Sequence, residues 1–107
     1  MTRFLLLCAC LTVGAAPAPT PAPMEVAQRG RRFDPATLSV RRGDTVQFVN
    51  DDGVLLHHAF LIDDAFSFDI GEQTPGARTP VRFTTSGQFM VLCGIHPKMK
   101  LAVAVAP

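Results

Sequence analysis

The sequence predicts an all-β, Greek-key sandwich of seven or eight strands in a single domain. Apolar and polar residues alternate over several runs of four to six residues, which is the period of a strand with one buried face. Gly, Asp and Pro separate these runs, as turns separate the strands of antiparallel sheets. No segment keeps a helical period for three turns. We therefore expect an antiparallel sandwich that spans residues 24–107.

The clearest strand prediction covers TVQFVN, residues 45–50, where Val46 and Phe48 share one face. The segment LAVAV, residues 101–105, shows the same alternation. Paired acids at 51–52 and 63–64 are interpreted as solvated turn residues rather than as an acid–base or calcium site. The other predicted strands are 37–40, 57–62, 81–85 and 88–93, and the predicted turns are 41–44, 51–53 and 86–87.

The N-terminal residues predict export. A basic start, MTR, precedes the 13-residue apolar run FLLLCACLTVGAA, so residues 1–16 are interpreted as a secretory signal peptide. This run is shorter than the roughly 20 residues that a membrane span needs. An uncleaved anchor and lipidation at Cys10, within the sequence LCAC, stay open as alternatives that would bring the protein to a membrane. Residues 17–23 are Pro- and Ala-rich and predict an extended linker. The expected location is periplasmic or otherwise exported.

The composition excludes some partners and leaves others open. Hydrophobic residues make up 48% of the chain and the net charge is only +1, which argues against a disordered chain and against a nucleic-acid-binding protein. Five Arg lie between residues 24 and 42, and six acids lie between 51 and 72. Such an asymmetry gives a charge dipole that can steer the docking of a protein partner. A monomer is the default expectation.

Cys93 is the most informative residue, because removal of the signal peptide would leave it as the one cysteine of the chain. An unpaired thiol in an exported protein is either inert and buried or committed to a ligand. The sequence CGIHPKM places Cys93, His96 and Met99 at intervals of three residues in one predicted loop. A Cys–His nucleophilic pair is the enzymatic alternative, but it would leave Met99 without a role and lacks a recognisable orienting group. We therefore expect no enzyme activity.

A fourth metal donor would have to come from elsewhere, and the other histidines are His57 and His58. Two imidazoles, one thiolate and one weak thioether form the donor set of blue copper electron-transfer sites. Zinc also binds Cys and His, but Met is a poor zinc ligand, so the set favours one copper ion that alternates between Cu(I) and Cu(II). The residues alone leave open which of the two adjacent histidines is the ligand.

Three segments carry a family resemblance: FDPATLSVRRGDTVQFVN at 33–50, the following HHAF at 57–60, and GQFMVLCGIHPKM at 87–99. In this order they resemble the cupredoxins, the blue copper proteins of the plastocyanin, pseudoazurin and amicyanin group. The resemblance implies that His57, Cys93, His96 and Met99 are the metal ligands. The C-x2-H-x2-M spacing is similar to the short loop of amicyanin. A departure is His58, where many relatives have an Asn that ties the two ligand loops together.

The resemblance also implies a function. We expect a single-copper electron carrier that exchanges electrons with redox protein partners near His96, whose ring edge would be the electron port. The second hypothesis is a copper carrier or storage protein that delivers the ion itself. Apolar residues around His96 would form a docking rim for brief contacts. These residues are Val54, Leu55, Leu56, Ile95 and Pro97.

Overall fold

The computed structural model describes residues 9–14 and 24–107. The predictions of a linker at 17–23 and of most of a signal peptide at 1–16 lie outside the described residues, and residues 9–14 are exposed without regular secondary structure. No helix in the described ranges is long and apolar enough to cross a membrane. The strands of the described chain are β1 (Met24–Arg29), β2 (Arg32–Asp34), β3 (Thr37–Arg41), β4 (Thr45–Asn50), β5 (Ala59–Leu61), β6 (Phe68–Asp69), β7 (Arg78–Arg82), β8 (Gly87–Cys93) and β9 (Lys100–Ala106).

These strands form two sheets, with the orders β2-β1-β4-β7 and β3-β9-β8-β5-β6. The predicted all-β sandwich is confirmed. The described residues hold nine strands rather than seven or eight, and two of them, β2 and β6, are only three and two residues long, too short to show an alternation in the sequence. The expectation of a purely antiparallel arrangement was wrong for two pairs, since β1 with β4 and β3 with β9 run parallel. In both pairs the chain forms at least one strand of the opposite sheet between the two partners. Such a crossover connection permits a parallel pair, which a hairpin would not.

The core lies between the two sheets and follows the alternation in the sequence. Val46 and Phe48 of β4 are fully buried, and Leu101, Val103 and Val105 of β9 are buried opposite them in the second sheet. Phenylalanine rings fill the space between the sheets in edge-to-face and tilted contacts, with centroids 5.5–6.3 Å apart. The rings in these contacts belong to Phe33, Phe48, Phe66, Phe68, Phe83 and Phe89.

The pairing of β5 with β8 places the two predicted ligand segments side by side. Ala59 is the partner of Cys93 in this antiparallel register, so the residues before Ala59 lie beside those after Cys93. The backbone N–H of Gly94 extends the ladder by donating to the carbonyl of His58 at 2.8 Å. Residues 36 positions apart are thereby brought to the same end of the sandwich.

Candidate metal centre

Three of the four predicted ligands come together at this end of the sandwich. The donor atoms of His57, Cys93 and His96 all lie within 4.8 Å of one another. Sγ of Cys93 is 3.8 Å from Nδ1 of His57 and 4.0 Å from Nδ1 of His96. The two imidazole rings have centroids 5.1 Å apart and are tilted by 58°. Two imidazole nitrogens and a thiol sulfur thus surround one point, as a metal ion requires.

Cys93 and Met99 occupy the two ends of the loop that carries His96. Cys93 is the last residue of β8, and the alternation of that strand turns its side chain into the core. The backbone N–H of Met99 donates to the carbonyl of His96 at 2.9 Å, which closes a tight turn before β9 begins. Met99 is buried and shares a surface cavity with the partly exposed ring of His96. The role of Met99 as the fourth ligand stays a prediction.

The structure distinguishes the two adjacent histidines. The ring of His57 is fully buried and directs Nδ1 towards Cys93. The ring of His58 lies instead against Asp69, with its Nε2 2.5 Å from the carboxylate Oδ1. The geometry therefore favours His57 as the first imidazole donor, as the family resemblance implies.

The backbone of His58 ties the two ligand segments together, although His58 replaces the Asn of many relatives. Its N–H donates to Sγ of Cys93 at 3.4 Å, while its carbonyl accepts the N–H of Gly94. A Cβ at position 94 would lie only 3.1 Å from Nδ1 of His58. Glycine at this position lets the ligand loop approach the His58 ring closely.

Asp52, interpreted from its position in the sequence as a solvated turn residue, lies beside the His57 ring. Its Oδ2 lies 2.5 Å from Nε2 of His57, the ring nitrogen that faces away from Cys93, and its side chain is only 13% exposed. Burial opposes ionisation of Asp52, but the bonds from the Gly30 N–H and the His57 ring outweigh it, so the pKa of Asp52 lies below its usual value. The solvated-turn interpretation was wrong for Asp52. It holds for Asp51, which is exposed and pairs with Arg29.

Buried amide side chains fix the backbone on either side of His57. The amide of Asn50 donates to the carbonyls of Leu55 and Gln73 at 2.8 and 2.9 Å. The backbone of Gln73 in turn exchanges two hydrogen bonds with that of His57, at 3.2 and 2.7 Å. The Gln73 side chain accepts a hydrogen bond from the amide of Gln28. A buried polar network therefore holds the His57 segment in place. No sequence motif predicted this network.

The ring of His96 lies in an environment that favours its neutral form. Partial burial lowers the pKa of His96, and the nearby His57 ring and Arg31 guanidinium lower it further. A neutral imidazole is the form that binds a metal ion, because the ligand nitrogen must offer its lone pair. The electrostatics of the site therefore suit metal binding.

The chemistry of the donors fits copper. Thiolate and thioether sulfur are soft donors that favour Cu(I), and imidazole nitrogen binds both oxidation states. The thiol of Cys93 is buried and unpaired, which leaves its sulfur available to a metal ion. The fold brings this sulfur together with the imidazole nitrogens of His57 and His96.

Comparison with known proteins points to the same metal. No protein-family model matches the chain. The chain is 36% identical over 63 residues to the copper-resistant cuproprotein CopI of Rubrivivax gelatinosus. This aligned region covers 59% of this chain and 38% of CopI. The copper-containing nitrite reductase NirK of Thermus scotoductus SA-01 superposes with a TM-score of 0.77 at 34% identity, over 91% of this chain and 25% of that enzyme. A variant of amicyanin in the Cu(I) form superposes with a TM-score of 0.72 at 19% identity, over 80% of this chain and 84% of amicyanin.

These matches differ in what they establish. The amicyanin superposition covers most of both chains and establishes the fold alone, because the identity is below a quarter. The chain spans little more than a third of CopI and a quarter of NirK, so it corresponds to one part of each of those proteins. Together with the donor set, the copper-containing relatives point to copper as the metal.

Proposed function

The chain has the cupredoxin fold, and we propose that it is a small exported blue copper protein that carries single electrons between redox partners. The observation that carries this proposal is the convergence of His57, Cys93 and His96 within 4.8 Å at one end of the sandwich. A copper ion held by these residues and Met99 supplies reversible one-electron chemistry between Cu(II) and Cu(I). We assign no catalytic reaction to this chain.

The residues have distinct roles in this proposal. Cys93 provides the thiolate, and its contact with the His58 N–H stabilises the negative charge on sulfur. His57 is buried, and its backbone and its outer ring nitrogen are both hydrogen-bonded, which favours one position of its ring at the centre. His96 lies on the loop and is partly exposed, which suits a route for electrons to a partner. Donors that stay in place favour electron transfer, because little reorganisation is needed between the two oxidation states.

The first test is the visible and EPR spectrum of the purified protein after addition of Cu(II). We expect an intense thiolate-to-copper absorption band and narrow copper hyperfine splitting, since a buried thiolate and two imidazoles would bind one ion. A weakly absorbing Cu(II) species would contradict a blue copper centre. Failure to bind copper in either oxidation state would contradict the proposal as a whole.

A second candidate function, copper transfer, is favoured by the similarity to the copper-resistant protein CopI. Here the same residues would hold the ion only until a partner or chelator takes it. The two functions differ in metal exchange, so the loaded protein is challenged with a Cu(I) chelator during repeated oxidation and reduction. An electron carrier keeps its copper through many cycles, whereas a copper carrier loses it within the first.

The proposed partner surface surrounds His96. Val54 is 89% exposed, and Leu56 and Ile95 are each 39% exposed, which supports the proposal of an apolar docking rim. Two cationic residues, Arg31 and Lys98, line the same cavity as His96. An apolar patch with cations at its edge suits a redox protein that presents an apolar surface bordered by acidic residues.

Replacing Lys98 tests the charge of this surface. Lys98→Gln is expected to slow oxidation of the reduced protein by the anionic reagent ferricyanide by roughly fivefold at low salt, since one unit charge at close range in water contributes about 1 kcal/mol. The difference should shrink as ionic strength rises. The matched control is Arg42→Gln, because the Arg42 N–H donates to the carbonyl of Ala106 at the far end of β9. Equal slowing by both variants would contradict a local role for Lys98.

A further inference from the structure

We propose that Asp52 is a positioning residue of the metal centre, which fixes the His57 ring with its Nδ1 lone pair facing Cys93 and lowers the reduction potential of the bound copper. This inference deepens the proposed function and rests on it for the effect on the potential. The effect on the His57 ring does not depend on a metal ion and can be measured separately.

The contact between Asp52 and His57 determines which ring nitrogen carries the proton. An ionised carboxylate can only accept a hydrogen bond, so Nε2 of His57 must donate to Oδ2 of Asp52 across 2.5 Å. In a neutral imidazole the other nitrogen, Nδ1, then has a free lone pair. Nδ1 is the nitrogen 3.8 Å from Sγ of Cys93, so the lone pair faces the centre. A carboxylate behind a ligating histidine orients the ring and makes its nitrogen more basic.

Asp52 is itself held in place by the turn between β1 and β2. Its Oδ1 accepts the N–H of Gly30 at 2.8 Å, and its Oδ2 is 3.4 Å from the N–H of Arg31. Both turn residues have positive φ, +60° and +57°, as a two-residue hairpin turn of type I′ requires. The Asp52 N–H also donates to the side-chain oxygen of Asn50 at 3.0 Å. The turn thus holds the carboxylate of Asp52, and Asn50 holds its backbone.

The charge of Asp52 acts on the balance between the oxidation states. With one thiolate and neutral imidazoles, the copper centre carries one more positive charge as Cu(II) than as Cu(I). A carboxylate in contact with a ligand attracts the more positive state, and the low exposure of Asp52 limits screening by water. Asp52 therefore stabilises Cu(II) and lowers the reduction potential.

The test compares Asp52→Asn with Asp51→Asn. Both variants remove one negative charge from adjacent residues, but the Asp51 side chain is 53% exposed and pairs with Arg29 rather than with a ligand. We expect Asp52→Asn to weaken Cu(II) binding about tenfold relative to Cu(I) binding, which is the low end of the effect that outer-shell partners have on metal affinity. The reduction potential then rises by about 59 mV for one electron. Asp51→Asn is expected to shift it far less. An equal shift in both variants, or no rise in Asp52→Asn, would overturn the effect on the potential.

The position of the proton is measured on the metal-free protein by ¹⁵N NMR of the histidine rings. We expect the neutral His57 ring to be a single tautomer with its proton on Nε2 in the wild-type protein. A proton on Nδ1 would overturn the positioning role without need of any variant. Absence of copper binding would contradict the proposed function instead, so the two failures are distinguishable.

Discussion

Cys93→Ser is expected to abolish the thiolate-to-copper absorption band and the one-electron activity of the protein. The band requires a sulfur orbital that overlaps with copper, and a serine hydroxyl stays protonated where a thiol ionises. Serine is close in size to cysteine, so the buried position at the end of β8 should tolerate it. The measurement is the visible spectrum with Cu(II), together with the free energy of unfolding of the metal-free protein.

The second described cysteine provides the control for this variant. Cys10 is exposed and lies outside the sandwich, so Cys10→Ser in the chain of 107 residues should leave the band unchanged. A Cys93→Ser protein that keeps the band would place the thiolate elsewhere. Loss of the band in Cys10→Ser alone would have the same consequence.

The strands that the sequence predicted best are those in which consecutive inward positions are apolar. The prediction at 45–50 coincides with β4, and the prediction at 101–105 lies within β9, because Val46 and Phe48 in the first and Leu101, Val103 and Val105 in the second form an alternating apolar face. Strand β1 was missed because its inward positions are Val26 and Gln28. A buried glutamine breaks the apolar alternation, and its partner Gln73 lies 45 residues away.

The same distinction between local and distant contacts applies to the metal centre. Cys93, His96 and Met99 could be grouped from the sequence because one short loop carries them all. The choice of His57 over His58 needed the register of β5 with β8 or the family resemblance. Asp52 could not be assigned to the metal centre from the sequence, because residue spacing does not show that its side chain, in the loop after β4, contacts the His57 ring.

The two adjacent histidines allow a matched test of the centre. His57→Ala is expected to weaken Cu(II) binding by more than about 100-fold, because even partners outside the ligand set contribute about 10- to 100-fold. The loss should also change the spectrum, since one of the two imidazole donors beside Cys93 disappears. His58→Ala removes a ring that lies against Asp69, Phe60 and Gly94 rather than facing the Cys93 sulfur, so the band should persist with less than a tenfold change in affinity.

The comparison isolates the side chains, because both variants keep the backbone contacts of this segment. The N–H of residue 58 still donates to Sγ of Cys93, and its carbonyl still accepts the N–H of Gly94. Titration with Cu(II), followed by absorption and EPR, measures affinity and coordination together. If His58→Ala lost the band while His57→Ala kept it, His58 would be the ligand and the ring orientations described above would not be those of the copper-loaded protein. If each variant removed only part of the affinity, both rings would contribute, and the contact of His58 with Asp69 would have to break on binding.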